Sequence, residues 1–161
     1  MHLLETGQHV VIVDDVYGGT QRYFRRVAKP TYNIDFTFVD FNDPQALRNA
    51  FQPGKTKLVW LETPTNPTLK VSNVAATAAL CKEMGALFVV DNTFLSPYFQ
   101  NPLDLGADVV VHSVTKYIGG HRSERARERD RGGGWAEPYG RIMLPRTSTT
   151  PTPSAFSHHT T

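Results

Sequence analysis

The sequence predicts an α/β fold, a mostly parallel sheet with flanking helices, and three observations predict it. Short apolar runs recur between residues 8 and 118, separated by segments with helical spacing and recognisable caps. The runs are near-continuous in Val, Ile and Leu rather than alternating, as in strands covered on both faces. Strand–helix–strand repetition at this spacing implies right-handed crossovers between parallel strands.

QHVVIVD is the first strand, and GGTQRYFRRVA follows with helical character. FTFVDF is again strand-like. DPQALRNAF reads as a short helix, with Asp43 as N-cap and Pro44 at the first helical position. KLVWLET is a buried strand. NVAATAALCKEMG is a helix opened by Asn73 and closed by Gly85. ALFVVDN and ADVVVHS complete the series.

The alternation stops at His121. Up to that residue there are 10 Lys and Arg against 11 Asp and Glu; beyond it there are 7 Arg, no Lys and 4 acids. The basic pI therefore belongs to the C-terminal segment. RSERARERDRGGG is rich in charge, and from Pro145 to Thr161 most residues are Ser, Thr or Pro. Such a composition buries too little apolar surface to offset the entropy of ordering it. The expected organisation is a folded unit over 1–121 and a mostly disordered tail over 122–161. Interleaved acids and the lack of aromatics in the arginine run argue against nucleic-acid binding.

Cys81 is the only cysteine, which excludes an internal disulfide framework and two-cysteine metal signatures. No apolar run reaches the roughly 18 residues of a membrane span. The N-terminus has no basic region before its apolar stretch, so a signal peptide is not expected. These features predict a cytoplasmic protein with no membrane partner. His112 and His121 are expected to be structural, and His158 and His159 are too isolated for a metal site.

In parallel sheets ligands sit beyond the carboxyl ends of the strands. There the first strand delivers Asp14, Asp15 and Tyr17-Gly18-Gly19-Thr20, and the third delivers Glu62-Thr63-Pro64-Thr65-Asn66-Pro67. The fourth runs into Asp91-Asn92-Thr93 and the last into Ser113-Val114-Thr115-Lys116, the final lysine of the chain. A carboxylate, an aromatic ring, an amide, hydroxyls and one amine suit a planar, anionic, nitrogen-containing cofactor.

VYGGTQRYF, ETPTNP, VDNTFLSPYFQNPL and HSVTKYIGGH resemble consecutive blocks of the Cys/Met-metabolism family of pyridoxal-phosphate (PLP) enzymes, in the same order and at similar spacing. The resemblance covers about residues 3–121 and is strongest to its cystathionine γ-lyase-like members. It implies part of a fold type I large domain, of the aspartate-aminotransferase kind, with the family's sequence extending beyond the match at both ends. Lys116 would carry the cofactor and serve as catalytic base, and Ser113 and Thr115 would bind its phosphate. Asp91 would pair with the pyridine nitrogen, Tyr17 would stack on the ring and assist proton transfer, and Asn66 would contact the ring hydroxyl. Thr93 would orient neighbouring groups, while Glu62 is read as structural. The implied chemistry is γ-elimination of cystathionine to cysteine, ammonia and 2-oxobutanoate. γ-Synthase or methionine γ-lyase activity, or an inactive PLP-binding fragment, are the alternatives. The resemblance also implies a small sulfur-containing amino acid as substrate and a homo-oligomer.

Overall fold

The computed structural model describes residues 3–120 and 141–143. Its sheet has six strands: β1 (His9–Val13), β2 (Asp35–Val39), β3 (Thr56–Glu62), β4 (Leu87–Asp91), β5 (Val109–His112) and β6 (Arg141–Met143). The order is β2-β1-β3-β4-β5-β6, parallel except for β6, which runs antiparallel to β5. Each predicted strand is present, and the predicted parallel architecture is observed.

The chain leaves β1 toward one side to form β2, then returns past β1 to form β3. Right-handed crossovers in opposite directions place their helices on opposite faces. One face carries the helical segment after β1, made of α1 (Gly18–Tyr23), a π-helical stretch (Phe24–Ala28) and α2 (Lys29–Tyr32). The other carries α3 (Pro44–Asn49) and α4 (Val74–Met84). The latter two are joined by Arg48 and Glu83, whose two hydrogen bonds measure 2.6 and 2.8 Å. A short α5 (Ser96–Phe99) follows β4.

Local chemistry sets the helix ends. The Asp43 carboxylate accepts from the N–H groups of Gln45 and Ala46, and the Asn73 side chain accepts from that of Ala76. Both are the predicted N-caps, filling donors that a helix leaves open. Gly85 ends α4 at φ 68°, a left-handed geometry that glycine reaches without a Cβ penalty.

β1 is buried along its whole length, and Val11, Ile12, Val59, Leu61, Phe88 and Val90 form the centre of the core. His9 fixes the register at the start of β1. Its Nδ1 meets Thr56 Oγ1 of β3 at 2.8 Å, and its Nε2 meets Thr37 Oγ1 of β2 at the same distance. Burial pushes the His9 pKa down, keeping the ring neutral between two hydroxyls. On the α1 face, Phe24 stacks on Phe36 and meets Trp60 edge-on, at centroid distances of 5.1 and 5.8 Å. Beneath α4, Cys81 is 1% exposed.

Neither α5 nor β6 is anticipated by the sequence reading. β6 falls within the tail expected to be disordered; the outer edge of β5 offers unpaired backbone groups that a three-residue segment suffices to meet. The other residues of that tail, with His121, His158 and His159, lie outside the described residues.

Candidate active site

The strand order reverses between β1 and β3, and ligands favour the crevice beyond the carboxyl ends at such a point. The candidate residues lie along that edge. Register pairs Glu62 of β3 with Asp91 of β4, so the two carboxylates leave adjacent strands on the same side of the sheet. That side is the α1 face, because Trp60, two residues before Glu62, packs against Phe24.

A series of hydrogen bonds runs from there in both directions. Toward β1, the Tyr17 backbone N–H donates to Glu62 Oε2 at 2.8 Å, and the Trp60 indole N–H donates to Oε1 at 3.1 Å. Toward β5, the Thr93 N–H donates to Asp91 Oδ1 at 2.9 Å, and the Ser113 N–H donates to Thr93 Oγ1 at 2.8 Å. Ser113 Oγ then lies 3.2 Å from Thr115 Oγ1. Lys116 follows in a turn closed by its N–H to Ser113 O and by the Gly120 N–H to Lys116 O, at 3.0 and 2.7 Å. Its side chain is exposed. Tyr17, Asp91, Thr93, Ser113, Thr115 and Lys116 are thus brought to one edge.

Asn66 is placed differently. Its loop contains two cis peptide bonds, Thr63–Pro64 and Asn66–Pro67. Asp15, at the end of β1, holds that loop: its Oδ2 accepts from the Thr65 hydroxyl at 2.6 Å, from the Thr68 N–H at 3.1 Å and from the Thr68 hydroxyl in a short contact. Lys70 adds a bridge, with Nζ 3.0 Å from carboxylate oxygens of both Asp14 and Asp40. Among the described residues, no hydrogen bond ties Asn66 to the other candidates.

The electrostatics single out two groups. Glu62 is 5% exposed, and burial raises its pKa to about 7, the Asp91 charge adding to the rise. Burial also raises Asp91, opposed mainly by its hydrogen bonds from Thr93. A carboxylate desolvated in this way gains from a cation placed beside it. His112 is buried, its pKa lowered by burial, and its Nδ1 has no hydrogen-bond partner.

The Tyr17 ring is half exposed and lies over Gly19, where an added Cβ would come within 2.6 Å of the ring. Only glycine allows this approach. Sequence reasoning missed the Asp15 latch and the reach of Glu62. The available signal for Glu62 was an acid at the end of an apolar strand, two residues after a tryptophan whose N–H needs an acceptor.

The donor set fits pyridoxal phosphate. Neighbouring hydroxyls suit a phosphate, a desolvated acid suits a protonated ring nitrogen, and an open aromatic face suits a planar ring. Comparison with known proteins agrees. The model of the family "Cys/Met metabolism PLP-dependent enzyme" matches residues 1–124. The chain is 61% identical to cystathionine γ-lyase of Dictyostelium discoideum over 120 residues, which is 74% of this chain and 30% of that protein. It is 54% identical to the probable cystathionine γ-synthase of Herpetosiphon aurantiacus, covering 75% of this chain and 37% of that one. A solved structure of cystathionine γ-lyase from Lactobacillus plantarum, complexed with L-serine, superposes with a TM-score of 0.72 at 47% identity. That match covers 74% of this chain and 31% of the other, so the chain spans about a third of the length of these relatives. The fold is accordingly part of a fold type I PLP-binding domain, and the chain belongs to the Cys/Met-metabolism family of PLP-dependent enzymes.

Proposed function

We propose that this chain carries the cofactor-binding core of a PLP-dependent carbon–sulfur lyase of the cystathionine γ-lyase type. The proposed reaction is γ-elimination of cystathionine to cysteine, ammonia and 2-oxobutanoate. The observation that carries it is the hydrogen-bonded series from Tyr17 through Glu62, and from Asp91 through Thr93 to Ser113 and Thr115, ending beside Lys116. The relatives named γ-lyase support the reaction assigned, and the L-serine complex of one supports an amino-acid substrate. The γ-synthase name of another keeps γ-replacement as the second reading.

When bound, pyridoxal phosphate supplies an electron sink for the bond broken at the substrate α-carbon. The residues divide the remaining work. Asp91 Oδ holds the proton of the ring nitrogen, which in turn relieves the cost of its own burial. Ser113 Oγ and Thr115 Oγ1 donate to the phosphate without adding charge. Lys116 Nζ would hold the cofactor covalently, and as a free neutral amine it would be able to take the α-proton. Tyr17 presents its ring face to the cofactor and its hydroxyl to the travelling proton, while the Asn66 amide meets the ring hydroxyl. Thr93 orients Asp91.

Residues 1–121 are the cofactor-binding unit in this reading, and 122–161 an appended tail. A homo-oligomer is part of it as well, supported by the 87% and 76% exposure of Tyr98 and Phe99 on α5. So is a cytoplasmic setting. Among the described residues, no helix is long and apolar enough to cross a membrane.

Reductive trapping after incubation with pyridoxal phosphate, followed by peptide mapping, tests the site. The expected adduct is on Lys116 alone. Scattered labelling of Lys55, Lys57 and Lys82, or no adduct, would refute the assignment.

A further inference from the structure

Glu62 is the acid that the sequence reading left as structural, yet it lies between two residues of the proposed site. From β3 it reaches the first turn of α1, which starts at Gly18 without a cap from its own side chains. There Oε2 accepts the Tyr17 N–H at 2.8 Å. The other oxygen is held by the Trp60 indole at 3.1 Å, and Trp60 is itself wedged against Phe24. Across the sheet, its register neighbour is Asp91.

We propose that Glu62 is a positioning residue that couples the charge on Asp91 to the placement of Tyr17. Both oxygens of its carboxylate act as acceptors for groups that can only donate, the Tyr17 amide and the Trp60 indole. An ionised Glu62 grips both. A protonated one has a hydrogen on one oxygen and grips them less well, loosening the start of α1 and the ring that lies over Gly19. Which form prevails depends on the neighbouring acid. With Asp91 ionised and unpaired, two negative charges share one buried edge, and Glu62 retains its proton to higher pH. A cation against Asp91 cancels that repulsion, so Glu62 ionises and Tyr17 is drawn into place as the site fills. The proposal rests on reading Tyr17 and Asp91 as site residues.

The other charged groups nearby are otherwise engaged. Asp14 faces Lys70, Asp15 faces Thr65 and Thr68, and His112 on β5, whose charged form burial disfavours, bears on Asp91 rather than on Glu62. Asp91 is thus the neighbour whose charge bears on Glu62.

Nuclear magnetic resonance of the full 161-residue chain, 15N-labelled and without cofactor, tests the coupling. The Tyr17 amide and the Trp60 indole resonances are followed between about pH 5 and pH 9, a range that spans the raised carboxyl. Both are expected to titrate together with an inflection near 7, where burial places Glu62. D91N should move that inflection to lower pH, and E62Q should abolish it. Flat resonances in the unmodified chain, an inflection unmoved by D91N, or a titration surviving in E62Q would each overturn the proposal. Should E62Q fail to fold, the unmodified chain and D91N decide the question between them. Because no cofactor is added, the result is independent of trapping on Lys116, and failure of one leaves the other readable.

Discussion

At the residue scale, the latch at Asp15 shows how one carboxylate organises a loop it does not belong to. Three donors from Thr65 and Thr68 converge on one oxygen, and these hydrogen bonds hold the acid below the usual carboxylate range. D15A is expected to lower stability by about 1 kcal/mol, less than is usual for hydrogen bonds to a charged group because the site is near solvent. Chemical denaturation of the two proteins measures it. On the role proposed for Asn66, the same substitution should also weaken pyridoxal phosphate binding, because its loop loses its tie to the end of β1. Neither effect is legible from ETPTNPT alone. The spacing of Asp15 from Thr65 is closed by the pairing of β1 with β3, which a linear reading does not contain. The placing of Lys116, Ser113 and Thr115 at the edge of the sheet was legible because they fall in one short stretch, and that of Asp91 because it ends an apolar run.

At the element scale, caps and burial patterns carried most of the information. Asn73, Gly85, Asp43 and Pro44 mark their helix ends as the sequence predicts, since each acts on backbone groups within a few residues. N73A removes the bond to the Ala76 N–H and is expected to cost about 1 kcal/mol, with thermal unfolding as the readout. The π-helical stretch from Phe24 to Ala28 had no local signature. It turns Phe24 toward Phe36 and Trp60, contacts made with two other strands. α5 escaped notice for a related reason. It is four residues long, and the Asn92 side chain supports it by donating to Ser96 O and Gln100 O, contacts that depend on β4 ending where it does.

At the scale of the whole molecule, the buried acids make stability depend on pH in an unusual direction. Glu62 rises from 4.5 to about 7 on folding, so the folded chain holds this proton more tightly than the unfolded one. Below pH 4.5 both forms are protonated and the group costs nothing. Between 4.5 and about 7 the unfolded chain ionises first, and stability falls. The fall amounts to roughly 3 kcal/mol, from the free energy of one pKa unit. Asp91 acts with the same sign, whereas Asp15, Asp40 and Glu83, held low by their partners, stabilise above their unfolded values and withdraw that support in acid. Urea unfolding across this range should show the decline in the unmodified chain and a flatter profile in E62Q. The architecture was legible in the sequence because the central strands are near-continuous apolar runs, but this balance was not. It depends on which two acids become neighbours when β3 and β4 pair.

The position of Cys81 offers a clock. The thiol faces the core from α4, and burial pushes its pKa up to about 12, so in the native chain it is both hidden and in its unreactive form. With no other cysteine in the sequence, alkylation reports solely on the exposure of this thiol. Mass spectrometry of a timed iodoacetamide pulse would therefore report the population of the opened form. Ligand that binds only the closed form should slow the labelling in proportion to its occupancy.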